Sequence, residues 1–260
     1  MKSVKFLSII AAAAIMAACT GNKELQFSKS QMTIPVGQTS DVSIMSESTA
    51  ATWTTGNIFI AQASADPGVA TTVKANHVGE TTLTATLSES KKGNLVVKVE
   101  PSINLLSNAI DFSLLGKDLS EIQAQFGTPE TIVSGAENHF ARYIDNQTAQ
   151  QYVYMLDENN KVDYIQIFVI LQSANELQNY NNYISQWAVL AYANQEAQVY
   201  QYLDGSTPET EAKLGYPVAK HIVQLQYTGQ KTGNGGLIYA LIYGMVEFTS
   251  EEAPARVRGI

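Results

Sequence analysis

Residues 25–101 are cut into short β-branched runs by glycine, proline, asparagine and aspartate, and that punctuation limits the segment to packed β-sheets. Residues 31–34 lead into Pro35-Val36-Gly37-Gln38, a turn by composition, and Val42 and Ile44 then alternate with polar neighbours. Trp53 follows, then apolar or β-branched runs over 58–61, 71–73, 81–86 and 95–99. Spacing this regular predicts a small all-β sandwich over 25–101, with Trp53 as the plug between its sheets. Cys19 is the only cysteine, so no intramolecular disulfide is available and packing alone must hold both halves of the chain. A hydrophobic content of 45% makes that feasible.

Past the turn-like Lys91-Lys92-Gly93 and the last strand, the character changes at Pro101. Asp118 and Glu121 form a capping box, Leu119, Ile122 and Phe126 share one helical face, and Gly127 with Pro129 stops the helix. Strands are predicted over 139–144, 151–156 and 161–171, joined at Asn146-Gln147-Thr148 and Asp157-Glu158-Asn159-Asn160. The pattern then returns. Ser173 and Glu176 cap a second helix, predicted to run to about residue 191 on a stripe of Leu177, Tyr180, Ile184, Trp187 and Ala191. Strands over 198–203, 219–228 and 237–248 complete it. The expectation for 105–260 is an α+β module, open to reading as a tandem repeat of one helix and a three-stranded antiparallel sheet.

The N-terminus carries Lys2 and Lys5, an apolar stretch over 6–18 and the small residues Ala17-Ala18 before Cys19, which is a secretory signal. The apolar stretch is shorter than the roughly 18 residues that a membrane-spanning helix needs. A cysteine at this place resembles the bacterial lipoprotein signal. That resemblance implies a signal peptide over 1–18, removal before Cys19, palmitate-type acylation of its thiol and a lipidated linker over 19–24. Acyl chains anchor stably because each buried methylene contributes about 0.8 kcal/mol. Thr20 in place of aspartate implies release to the outer membrane of a Gram-negative cell envelope. Lys23-Glu24 faintly echoes a surface-export motif and leaves the periplasmic and surface faces both open.

Two further resemblances bear on the modules. Val36-Gly37-Gln38, Trp53-Thr54-Thr55, Ile60-Ala61 and the phrase Val78-Gly79-Glu80-Thr81-Thr82-Leu83-Thr84-Ala85 resemble a bacterial Ig-like group 2 (BIG2-like) domain over about 75 residues. The loop around Ala65-Asp66-Pro67-Gly68 departs from its pattern. Such domains are spacers or adhesion modules. Gly116-Lys117-Asp118-Leu119-Ser120-Glu121-Ile122, the stop Phe126-Gly127-Thr128-Pro129 and the hairpin from Asp157 to Val162 resemble the SmpA/OmlA outer-membrane lipoprotein fold. That fold is shared in shape by β-lactamase inhibitor proteins, and the match covers about 55 residues. The resemblance implies a module that binds other proteins and brings no catalytic residues with it.

Charge narrows the partners. Loss of Lys2 and Lys5 with the signal takes the net charge from −8 to about −10, and no basic cluster denser than Lys91-Lys92 is present, which argues against nucleic acid. The anchor, not surface charge, must hold the chain to anionic lipid. There is no G-x-S-x-G and no H-E-x-x-H; His77, His139 and His221 are widely spaced and without a cysteine partner, so no catalytic or metal site and no cofactor is expected. Asp157-Glu158-Asn159-Asn160 lacks the ligand alternation of a calcium loop, and Thr232-Gly233-Asn234-Gly235-Gly236 lacks the lysine and following helix of a phosphate loop. Both read as hairpin turns. Aromatic residues crowd the second helix and the strands after it. Tyr183, among Asn181, Asn182 and Gln186, is the best candidate for an exposed ligand contact, and Trp187 is the second although it lies on the apolar stripe. The expectation is a non-catalytic, membrane-anchored module that binds or scaffolds a protein partner, with surface glycan binding in a polysaccharide uptake system as the alternative.

Overall fold

Strict alternation of buried and exposed residues along the early strands, as in the BeBe pattern that buries Met32 and Ile34, folds the first part of the chain into two sheets about one core. The computed structural model describes residues 25–135, 139–194, 197–205, 207, 209, 218–247 and 256–257; Cys19, the predicted signal and linker, Glu251 and Glu252 lie outside them. The strands are β1 (Met32–Pro35), β2 (Thr39–Ser43), β3 (Thr52–Thr55), β4 (Ala61–Ala63), β5 (Ala70–Ala75), β6 (Gly79–Ser88) and β7 (Lys91–Glu100). One sheet has the order β1-β7-β6-β3 and the other β2-β5-β4. Their shared core holds Met32, Ile34, Val42, Val73, Leu83 and Val97, with Trp53 between the sheets and only 5% exposed. The Trp53 indole donates to the Gly68 carbonyl at 2.9 Å, which satisfies its one polar atom.

Two local expectations fail here. Residues 58–60 form a turn, because the Asn57 side-chain oxygen accepts the Phe59 amide at 2.9 Å and its carbonyl accepts the Ala61 amide at 3.1 Å. Lys91-Lys92-Gly93 lies inside β7, not in a turn. Gly93 serves close approach instead: a Cβ there would stand 2.7 Å from the Leu25 Cβ and 2.8 Å from the Phe27 ring.

The second part contains α1 (Leu119–Phe126), β8 (Thr131–Ser134), β9 (His139–Ile144), β10 (Gln151–Leu156), β11 (Val162–Leu171), α2 (Ala174–Ile184), β12 (Val189–Ala193), β13 (Ala197–Tyr202), β14 (His221–Lys231), β15 (Leu237–Glu247) and β16 (Arg256–Val257). Both predicted caps form. Glu121 Oε2 accepts the Asp118 amide at 3.0 Å, and Ser173 Oγ accepts the Glu176 amide at 3.2 Å. Gly127, at φ +85°, ends α1 in a conformation that other residues resist.

These strands make one antiparallel sheet in the order β12-β13-β14-β15-β11-β10-β9-β8, with β16 on β15. Along the path of the sheet each helix is therefore followed by four strands, where the sequence predicts three, and the two-residue β16 adds a fifth after α2. The added strands are β8 and β12. β12 takes residues that the second helix was expected to include: α2 stops at Ile184, and Ala191, on the extrapolated apolar stripe, is exposed in a strand. β11 and β15, the last strands of the two sets, pair at the centre, Tyr164 opposite Gly244 through Leu171 opposite Leu237.

Both helices cover one face of this sheet. Ile122 and Ile184 bury against Tyr154, Ile165, Ile167, Val223 and Leu241, and Leu106, Ile110 and Leu114 from the connecting segment join the same core. Gln186 fastens that segment: its Oε1 accepts from the Ser102 amide at 2.6 Å and the Ile103 amide at 3.0 Å, and its Nε2 donates to the Ile103 carbonyl at 2.8 Å. The packed unit thus begins at Ser102. The two parts also touch directly, through the Val78 amide on the Gln186 carbonyl at 2.7 Å, the Tyr202 hydroxyl on the Val78 carbonyl at 3.0 Å and the Asn57 amide on the Leu203 carbonyl at 3.1 Å.

Candidate functional site

Register decides what stands on the helix-free face. In β11, Ile165, Ile167 and Val169 enter the helix-side core, so Tyr164, Gln166 and Phe168 face the other way. Their cross-strand partners share that face: Met155, Val153 and Gln151 in β10, then Phe140 and Arg142 in β9. On the other side of β11 stand Gly244, Ile242 and Ala240 of β15, followed by Ile222, Gln224 and Gln226 of β14. Val199, Ile222, Ala240 and Ile242 form a small buried cluster on this face, with Tyr164 and Phe168 packed against it.

Beside that cluster lies a basin of about 570 Å³, lined by Phe140, Arg142, Gln151, Val153, Met155, Tyr164, Gln166, Phe168, Gln230 and Ile238. Its volume falls within the roughly 300–1,000 Å³ of ligand pockets. Amides and rings make up most of the lining, and Arg142 is its one charged side chain. Arg142 Nη2 donates to Thr131 Oγ1 at 3.1 Å, while Nε is buried with no hydrogen-bond partner among the described residues. Burial first, and the Asp163 carboxylate second, push the Tyr164 phenol up, so that it stays a neutral donor and acceptor at physiological pH.

A second cavity, about 440 Å³, runs between the two parts of the chain, where Gly79, Lys98, Asp111, Phe112, Trp187 and Tyr202 contribute. Phe112 stacks on Tyr202 with ring centres 4.7 Å apart and tilts over His221 at 4.8 Å. His221 Nδ1 lies 2.6 Å from Asp204 Oδ2. His77 stacks on Phe59 at 3.8 Å, and His139 Nδ1 lies 3.2 Å from the Asp157 carbonyl. Each histidine is thus held in a separate local contact. Among the described residues, no three of His, Cys, Asp and Glu converge as metal ligands would.

The sequence-based candidates for ligand contact lie elsewhere. Tyr183 is fully buried, so the expected exposed contact is corrected: α2 turns this residue into the core, where its ring stands 4.7 Å from that of Trp187. Its hydroxyl reaches toward the Ile110 backbone without a formed hydrogen bond among the described residues, and burial pushes its phenol up. Trp187 is 2% exposed and belongs to the same core, so it too is corrected as a ligand platform. Cys19 lies outside the described residues. Asp157 forms a turn, its Oδ1 accepting the Asn159 and Lys161 amides, each at 2.8 Å, and Thr232 and Gly236 close the β14–β15 hairpin at 2.8 Å. The basin itself was missed. Its signal is in β11, where both alternating sets of residues are mostly apolar or aromatic, broken only by Asp163 and Gln166, a pattern of strands that meet something on each face.

Among the described residues, no helix is long and apolar enough to cross a membrane. No protein-family model matches the chain, and no curated protein matches it. Among solved structures, domains 5–6 of the S-layer protein SbsC align over 84% of this chain and 82% of theirs, at 14% identity and a TM-score of 0.28. SbsC domains 4 and 5 align over 30% of this chain, at 17% identity and a TM-score of 0.24. Domains 1–6 align over 92% of it, at 13% identity and a TM-score of 0.26. This chain spans 51% and 26% of those two chains, respectively. Likeness this slight carries no argument about fold or function.

Proposed function

We propose that this chain is a non-catalytic lipoprotein of the Gram-negative envelope, tethered to the outer membrane through Cys19, that binds a protein partner in the basin on its helix-free sheet face. The observation that carries the reading is the basin: concave, rich in rings and amides, and left uncovered by the helices that bury the opposite face. Rings with polar neighbours are the composition of protein-binding hot spots. In this reading residues 25–101 are a BIG2-like Ig spacer, supported by two sheets sharing one core around Trp53. The remainder is an α+β duplication of the SmpA/OmlA and β-lactamase-inhibitor type. It is supported by the repeated order of helix and four strands and by the central pairing of β11 with β15.

The test uses the full acylated chain, recovered from detergent-solubilised envelopes with whatever it holds. Replacing Gln151 and Gln166 together by lysine should reduce the captured partner at least tenfold while leaving the melting temperature unchanged. Undiminished capture by that variant would sink the basin reading. Glycan binding is a second reading, favoured by the three rings of Phe140, Tyr164 and Phe168 beside three glutamines. Retardation of the full chain by a polysaccharide on an affinity gel, lost in the same double variant, would select it.

A further inference from the structure

Arg142 is out of character for this molecule. The chain is acidic overall and has only three arginines, the other two at positions 256 and 258, yet one of them stands in the basin with no salt-bridge partner among the described residues. Residues 139–144 pair on both sides, with β8 and β10, so the backbone that carries Arg142 is fixed within the sheet. Its Nη2 is tied to Thr131 Oγ1, which sets the plane of the guanidinium. Nε, by contrast, is buried and unpaired among the described residues. A buried donor left without an acceptor is costly, and the cost is greater for a charged group. The surrounding Phe140, Val153 and Phe168 lower the local polarity, which strengthens any ion pair formed there.

Resting on the protein-binding reading of this basin, we infer that Arg142 recognises an acidic side chain of the partner. An aspartate or glutamate on a protruding loop enters between Phe140 and Phe168, and its carboxylate is met by the guanidinium, whose buried Nε–H comes into reach as the side chain shifts toward it. A guanidinium fork matches a carboxylate in two parallel bonds, and an ammonium does not. The flanking rings receive the apolar neighbours of that acidic residue, and Gln151 and Gln166 are placed to bond its backbone. Charge complementarity favours this occupant: of the residues that line the basin, Arg142 alone is charged, and its charge is positive.

The experiment follows the full chain labelled uniformly with nitrogen-15, in which only three arginine Nε–H signals arise beside the backbone amides. The probes are two blocked tripeptides that differ only in a central glutamate or glutamine between leucines. The glutamate peptide should move the Arg142 signal and the β10 and β11 amides in a saturable way; the glutamine peptide should not. In Arg142→Gln the amide response should vanish, and in Arg142→Lys a weaker response should survive. Capture of the native partner by Arg142→Gln should fall at least about thirtyfold, as when one member of a buried ion pair is removed. Equal responses to the two peptides, or no response to either, would overturn the inference. So would capture by Arg142→Gln that is unchanged while the Gln151/Gln166 double lysine variant loses its partner, an outcome that leaves the basin itself standing. If neither variant loses the partner, the basin and the inference fall together.

Discussion

Gln186→Ala removes the side chain that fastens the connecting segment to the C-terminal core. Three hydrogen bonds of 2.6–3.0 Å join it to the Ser102 amide, the Ile103 amide and the Ile103 carbonyl, and the Ser102 hydroxyl adds a fourth at 3.0 Å. At about 1 kcal/mol net for each bond, the loss would reach about 4 kcal/mol. Ser102 and Ile103 are exposed, however, so water replaces part of what is lost, and about 2–3 kcal/mol is expected. For a unit of this size that is a fall in melting temperature of about 4–12 °C. The chain has two tryptophans, Trp53 in the first core and Trp187 in the second. Urea unfolding of Gln186→Ala in a Trp53→Phe background therefore reports the second unit alone. Cleavage by a protease between residues 101 and 105 should quicken in parallel. A loss below about 1 kcal/mol, with unchanged cleavage, would refute the claim that Gln186 binds this segment to the core.

Three other outcomes are expected. Gly79→Ala should loosen the contact between the two parts, because a Cβ there would stand 2.5 Å from the Tyr202 hydroxyl and 2.8 Å from Ile60. The expected cost is about 1–3 kcal/mol, with faster cleavage of the connecting segment; unchanged cleavage would contradict it. Tyr183→Phe should leave stability almost unaltered, since the hydroxyl has no formed hydrogen bond, whereas Tyr183→Ala should cost about 3–5 kcal/mol; a stable Tyr183→Ala chain with lost ligand binding would restore Tyr183 as a surface contact. Ser107 first, then Thr148 and the Gln147 amide, hold the Asp145 carboxyl down to about 2. A carboxyl lowered in the folded state stabilises above its unfolded value near 3.8, and that contribution disappears as pH falls toward about 2. Asp145→Asn should flatten the acid limb of the stability curve between those values, and an unaltered limb would count against the assignment.

Much of the fold was legible because local chemistry and tertiary structure agree. Asp118 with Glu121, and Ser173 with Glu176, mark both helix starts, and Gly127 marks the first stop. The second stop was hidden, because Trp187 and Ala188 are buried and continue the apolar stripe past Ile184 even though the chain has left the helix. β8 escaped notice because only two of its four residues are apolar and Ile132 faces solvent. The candidate site was less legible still. Tyr183 sits among amides in sequence, yet α2 rotates it inward and leaves Asn182 outside. The basin joins residues from β9, β10, β11, β14 and β15, so strand order and register, which no single segment encodes, create it.

A photo-crosslinking residue placed at position 166, in the basin, tests the account most directly when compared with one at position 178, on the exposed side of α2. In intact cells, position 166 should join the full chain to one discrete envelope protein, and position 178 should not. Joining from position 178 with none from position 166 would contradict the account, because the partner would then lie on the helices and not on the sheet.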